Sequence, residues 1–535
     1  MAHPAPARVL CLMDRCLMDR RSAHILLIVS AAALVAVLAA AFPLAANAHG
    51  FGERYDLPLP LSLFVIAGAA AVVLSFVVAA VFLRAGTAHA GYPRYNLLRL
   101  APVRWLASPP ITSTLKTLSV ALTAYVIVGA LIGSERAALN PAPAAIYVAF
   151  WVGLSFFTAL FGNLWALVNP WKATWGFLER AFETVSGGGR LSLHRRYPAR
   201  IGPWPAVLVF VGFAILETVA ADAAGPRALG WILVLYSLYN FVGMYVYGRE
   251  VWLRNAEGFT VVYGFMSRFS VTEVRSPTSR CRRCSSNGRC SAGETDCVDC
   301  YECYAAASPP QRQFNLRPPC VGLNRLGVVT LTVVFHVILL LSTVSFDGLS
   351  ATPEWLVFTG QFLLQFPLYG GYVANLIGAL GLPVVFGLLF ALTCAAMAAL
   401  SGQAEPDTGQ LLRRFTFSLL PIALAYHFAH FLGFLLINGQ RFIVLASDPF
   451  GWGWDLFGTA DAIINIGILS PVFIWYFSIL AIVVGHIAGV YLAHVQATRT
   501  YPTRRGALLS QAPMLVLMVC YTCASLWIIS RPISE

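Results

Sequence analysis

The sequence predicts an all-α polytopic membrane protein, with about ten transmembrane helices after an N-terminal signal peptide. Three observations carry that prediction. The chain has 535 residues, 58% hydrophobic and only 11% charged, where a soluble domain carries about 25% charged residues. The apolar residues gather into runs of about 20, enough to cross ~30 Å of hydrocarbon at 1.5 Å per residue. The basic residues concentrate in particular connections, so the net charge of +12 reads as a topology signal rather than a nucleic-acid footprint. A soluble enzyme, a disordered chain and a secreted disulfide scaffold are excluded.

At the N-terminus, Arg8, Arg15, Arg20 and Arg21 precede an apolar stretch from His24 to about Leu44 that ends in Ala46-Asn47-Ala48. This is the basic, apolar and A-x-A pattern of a signal peptide over 1–48, whose removal leaves His49 as the new terminus. An uncleaved first helix is the alternative. Residues 11–15 and 16–20 both read CLMDR. Apolar spans follow near 61–84, 113–133, 144–168, 205–222, 228–248, 323–344, 374–400, 415–437, 464–494 and 509–530. The chain thus divides into N-terminal transmembrane helices (49–248), a cytoplasmic Cys-rich loop (249–322) and C-terminal transmembrane helices (323–535) with an outer loop at 438–462. Residues 355–370, interrupted by Gln361, Gln365 and Pro367, read as an interfacial or re-entrant piece.

Arginine sets the orientation. Connections 84–116, 169–203 and 495–505 carry Arg84, Arg94, Arg99, Arg104, Lys172, Arg180, Arg190, Arg195, Arg499 and Arg504 with few acids. They fall on one side if ten spans alternate, which makes that side cytoplasmic. Opposite loops hold Asp56, Asp347, Glu354, Asp448, Asp455 and Asp461. The expected location is the bacterial inner membrane with both mature termini outside. The lipid bilayer is the first partner, and a second subunit stays open.

Seven of the 12 Cys lie between 281 and 320. Cys281-x2-Cys284-x5-Cys290-x6-Cys297-x2-Cys300-x2-Cys303 combines two CxxC pairs at zinc-knuckle spacing. The CxxCxxC run also suits three corners of an iron–sulfur cluster, although the CxxxCP continuation of bacterial ferredoxins is missing. Free or redox-sensing thiols are the third reading. A disulfide is disfavoured in a reducing cytoplasm.

Ionisable groups inside spans are functional candidates. By span arithmetic His336, His427, His430 and His486 fall roughly 15–22 Å from the inner edge, so three helices present imidazoles near one depth. Such a set suits a divalent metal, zinc or copper, or a haem. The plainer reading is that each histidine hydrogen-bonds a neighbouring helix. A mature N-terminal His49 adds imidazole and amine donors suited to copper. The outer loop ASDPFGWGWDLFGTAD (446–461) is either a membrane-surface cap or a lid, with Asp448, Asp455 and Asp461 as hard ligands or bases. Asn-Pro-Trp at 169–171 reads as a helix stop at the inner edge.

Several phrases extend across most of the mature chain: AHGFGERYDLPLPLSLFVIAGAAAVVLSFVVAAVF (48–82), NPW (169–171), SFDGLSATPEW (345–355), AYHFAHF (425–431), LASDPFGWGWDLFGTAD (445–461) and GHIAGVYLAH (485–494). In these the chain resembles the bacterial integral-membrane fenitrothion hydrolases, which are organophosphorus hydrolases. The resemblance implies cleavage of the P–O–aryl bond of an apolar organophosphorus triester, releasing a nitrophenol and a dialkyl thiophosphate. The family's recurring polar positions map onto His49, Asp56, Asp347, His430, Asp448, Asp455, Asp461, His486 and His494. The cysteine-rich insert at 281–303 departs from the family, in which a short basic link reaches the RPP found here at 317–319. A transporter or a metal- or haem-handling protein is the alternative function.

Overall fold

The structure, a computed structural model, describes residues 60–82, 91–220, 225–277, 291–292, 296–324, 329–402 and 406–531. The expected signal peptide, His49, Asp56, Cys281, Cys284 and Cys290 lie outside the described residues. Nine helices among those described are long and apolar enough to cross a membrane, so the membrane-protein class stands.

The N-terminal helices are α1 (Leu61–Phe82), α2 (Pro109–Ile132), α3 (Pro141–Phe161), α4 (Pro170–Val185), α5 (Trp204–Thr218) and α6 (Pro226–Tyr247). Residues Ala144–Gly153 of α3 are wound as a π-helix, a widened turn often found at functional sites. At 15 residues, α5 is about 22 Å long, shorter than the full span expected at 205–222. Asn169 does more than stop a helix. Its side chain accepts from the Lys172 amide at 3.0 Å and caps α4, with Pro170 in the first turn.

The described residues of 249–322, the expected loop, carry regular structure. They form helices α7 (Arg249–Asn255), α8 (Gly258–Met266) and α9 (Tyr301–Ala306). They also supply four strands of a five-stranded antiparallel sheet: β2 (Thr272–Pro277), β3 (Ser291–Ala292), β4 (Asp296–Val298) and β5 (Gln313–Leu316), with β1 (Tyr95–Asn96) from the first basic connection. The order is β1-β5-β2-β4-β3, with Glu273 opposite Asn315 and Arg275 opposite both Gln313 and Val298.

Two buried carboxylates hold this end together. Glu257 caps α8 through the Thr260 amide at 2.7 Å. It also receives Trp165 Nε1 and Asn169 Nδ2, each at 3.2 Å, and the Tyr236 hydroxyl, so one anion ties α8 to the Asn169 turn and to α6. Glu273, fully buried, bonds Arg275, Tyr92 and Asn315, with Arg317 at 3.4 Å. Arg317 also bonds Asp299 at 2.8 Å.

The C-terminal half comprises α10 (Leu331–Ser350), α11 (Pro353–Gln365), α12 (Gly370–Ser401), α13 (Leu420–Gly439, the centre of a helical run Thr408–Ser447), α14 (Pro471–Thr500) and α15 (Arg504–Ile529). Helix α13 packs along α14, α12 along α15, and α1 against both α14 and α15. The π-wound part of α3 packs on α13 and joins the halves. No residue of α11 is buried, in keeping with a piece that lies beside the bundle. Helix α10 begins eight residues later than the expected span at 323, because Val321–Asn324 form a short 3-10 turn beside the sheet. His336 therefore sits about 8 Å along its helix, toward the sheet end.

The Glu273 network yields a prediction. Burial pushes the Glu273 carboxyl up, but its bonds to Arg275 and Tyr92 and the charges of Arg275 and Arg317 outweigh that and leave it below its ordinary value. A folded value below the unfolded one contributes stability above the ordinary carboxylate range, and that stability is lost as pH falls through the depressed value. Glu273→Gln removes the negative charge that the buried Arg275 and Arg317 share, so it should cost about 3 kcal/mol and flatten the acid-side loss. Hydrogen exchange of 272–277 and 313–316 against pH measures both.

Candidate functional site

The histidines expected to share one depth do not share one site. His336 lies on α10 between Phe210, 6.0 Å away and stacked, and Phe265 at 5.9 Å. His486 lies mid-way along α14. Its Nδ1 is 2.8 Å from the Ile482 carbonyl, which can only accept, so Nδ1 carries the proton. Its ring faces Tyr521 at 5.7 Å. His494 pairs with Gln511 at 3.0 Å. His427 is buried against Trp151 at 5.2 Å and Phe431 at 4.8 Å, and neither ring nitrogen has a hydrogen-bond partner among the described residues. Span arithmetic gives depth along a helix but says nothing of the direction in which the side chain points.

What the structure does bring together is one expected histidine and one expected acid. Asp347 belongs to the last turns of α10 rather than to a loop, 16 residues after Leu331, which is about 24 Å along the helix. Its Oδ2 lies 2.7 Å from His430 Nε2 on α13. The two side chains are 23% and 19% exposed, so the pair is sheltered but reachable. Tyr426 stacks on the His430 ring at 6.1 Å, and Phe431 packs edge-on at 4.8 Å. Helix approach here depends on Gly348. A Cβ at that position would stand 2.1 Å from the Tyr426 hydroxyl.

Three neighbours were not expected as site residues. Glu217 of α5 lies within electrostatic range of Asp347 and Tyr147. The π-wound turns of α3 place Tyr147 and Trp151 along this border. The signal for Glu217 was in the sequence, as an acid inside an apolar run.

The outer loop is a built turn. The Asp448 carboxylate accepts from Trp452 N at 2.9 Å and Gly453 N at 2.8 Å, with Gly451, Gly453 and Gly458 at positive φ, where side chains are disfavoured. Asp455 accepts from Ala460 N at 3.0 Å, and Asp461 is exposed. The loop docks on α2 through Tyr125 to the Pro449 carbonyl at 2.9 Å and Ser134 N to the Phe450 carbonyl at 2.8 Å. None of these three acids hydrogen-bonds Asp347 or His430 among the described residues. The loop leaves Trp452, Trp454 and Phe457 exposed.

At the sheet end, Cys297, Cys300 and Cys303 bring their thiols within 4.8 Å of one another and could hold a metal ion. Among the described residues this is the one group of three or more Cys, His, Asp or Glu so placed. Beside it a cavity of about 90 Å³ is lined by Cys300, Tyr301, Glu302, Asn169, Lys172 and Arg254, among others.

Comparison with known proteins finds no match among protein families, curated proteins or solved structures.

If Asp448 organises the loop, Asp448→Ala frees two backbone amides and should destabilise the turn by about 1–2 kcal/mol. The expected result is faster proteolysis within 448–461, with the Asp347–His430 half unchanged in hydrogen exchange.

Proposed function

We propose that the chain is a membrane-embedded hydrolase of apolar organophosphorus triesters, working at the Asp347–His430 pair. The supporting observation is the 2.7 Å contact between a carboxylate and an imidazole on two apolar helices, in the segments that carry the resemblance to fenitrothion hydrolases. Asp347 accepts from His430 Nε2 and fixes the tautomer, which leaves Nδ1 to take a proton. His430 acts as general base toward water. The resulting oxygen attacks phosphorus, the P–O–aryl bond breaks, and the nitrophenolate leaves with its electron pair. An apolar triester reaches such a site from lipid, so the bilayer serves as both solvent and route. The proposed setting is the bacterial inner membrane, with the pair and both mature termini at the outer face.

A zinc or copper ion at this pair would supply Lewis acidity. The residues present offer one nitrogen and one oxygen donor, short of the three protein ligands usual in catalytic zinc sites, so no step is written through a metal here. For the cysteine trio, zinc and an iron–sulfur centre are the two candidate occupants. One observation favours a second reading, proton-coupled transport: Glu217 of α5 is a further buried acid within electrostatic range of Asp347, and buried acids serve intramembrane proton relays.

The test is nitrophenol release from fenitrothion by purified, detergent-solubilised protein. Hydrolysis survives solubilisation, whereas transport needs two compartments. His430→Ala and Asp347→Asn should each lower the rate at least about 100-fold, the range for loss of a general base. Wild-type protein that releases no product, or variants that match it, would refute the hydrolase reading.

A further inference from the structure

The cysteine trio owes its geometry to a strand, a left-handed residue and one helical turn. Cys297 lies in β4, Asp299 turns the chain at φ +56, and Cys300 caps α9 one turn before Cys303. The turn is pinned on both sides. Asp299 N donates to the Val274 carbonyl at 2.9 Å, and the Asp299 carboxylate accepts from Arg317 at 2.8 Å. Cys297 and Cys303 are buried, with Cys300 packed against them.

The spacing of the thiols discriminates between occupants. Three thiolates on one tetrahedral ion at a zinc–sulfur distance of ~2.3 Å stand about 3.8 Å apart. In a two-iron or four-iron cluster, at least two of any three cysteine ligands bind different irons, which spreads them beyond the edge of one coordination sphere. Mutual distances within 4.8 Å match the single ion. Soft thiolates in a tetrahedral set select zinc among the common divalent ions.

The residues between these cysteines are also the ones that fasten the sheet to the bundle. Asp299 bonds Arg317. The Tyr301 hydroxyl accepts from Asn163 N at 3.3 Å, just ahead of the Asn169 turn. Glu302 accepts from Arg254 Nε at 3.1 Å. Cys300 itself lines the cavity between the sheet and the Asn169–Lys172 turn.

We propose that Cys297, Cys300 and Cys303 bind a single zinc ion, and that this ion holds residues 299–302 in the conformation that clamps the sheet onto the end of the transmembrane bundle. Metal binding supplies folding free energy to a segment too short to order itself. This inference stands apart from the hydrolase reading, because the trio and the Asp347–His430 pair occupy different ends of the structure.

The experiment uses full-length protein in detergent. Elemental analysis should find about one zinc per chain, and X-ray absorption should show sulfur near 2.3 Å with no metal–metal scattering. Cys300→Ser and Cys303→Ser should bring zinc down to background, while Cys394→Ser, in transmembrane α12, retains it. Chelating zinc from folded wild-type protein should raise amide exchange at 299–306 at least tenfold and leave α10 and α13 protected, which keeps the test valid if a cysteine variant fails to fold. Iron with acid-labile sulfide, protein without bound metal, or unchanged exchange at 299–306 after zinc removal would overturn the proposal.

Discussion

Polar groups in hydrocarbon must find partners within the protein, and the Asp347–His430 contact is where this chain meets that requirement most directly. A lone carboxylate or imidazole between apolar helices carries a desolvation cost of several kcal/mol. Facing each other at 2.7 Å, each becomes the other's solvent. The contact fixes the rotation of α10 against α13, because a turn of either helix separates the groups. Gly348 is part of the same constraint, since only a bare α-carbon lets Tyr426 come close enough to cover the pair. Tyr521, bonded to Ser345 and packed on His486, continues the polar seam into α15 and α14. The crossing of these four helices follows from what their few polar residues can reach.

The other end of the molecule is built on a different principle. Glu257 and Glu273 are buried anions, each surrounded by several donors drawn from distant parts of the chain. Glu257 collects Trp165, Asn169, Tyr236 and the first amides of α8. Glu273 collects Tyr92, Arg275, Asn315 and Arg317. A buried ion pair adds little net stability over a hydrophobic substitute, yet removing one partner is costly, so such networks fix register more than they add strength. They place the strands, and the strands place the cysteines. The two clusters are thus divided by location: the Asp347–His430 pair lies between helices, and the cysteine trio lies where the chain leaves them.

The membrane spans were legible because twenty apolar residues have few other uses, and the clustering of Cys297, Cys300 and Cys303 was legible because CxxCxxC spacing brings thiols together. The sheet was not. Its strands have two to six residues, and β2, Thr-Glu-Val-Arg-Ser-Pro, carries its charges inward, so no alternation of apolar and polar residues betrays it. The start of α10 was misplaced because Val321–Asn324 wind as a short 3-10 turn ahead of the helix rather than as its first turn. Asp347 followed by Gly348 suggests a turn, but the glycine serves close helix packing, and the acid stays helical. Equal depth was a fair guide to which histidines lie within spans. It could not supply their azimuth, and so His336 and His486 turn to partners of their own. In the outer loop, acids and glycines suggested a cap or a lid, and the structure shows two backbone amides turned onto Asp448.

Everything proposed for the bundle rests on Asp347 holding His430 in one tautomer. Solid-state ¹⁵N NMR of histidine-labelled protein in lipid, comparing wild type with Asp347→Asn, tests this without assuming an activity. The account predicts that one imidazole, assigned to His430 by its loss in His430→Gln, shows a strongly hydrogen-bonded Nε2–H and an unprotonated Nδ1. It further predicts that this signature shifts when Asp347 is neutralised. A His430 spectrum indifferent to Asp347, or one protonated at Nδ1 alone, would contradict the account.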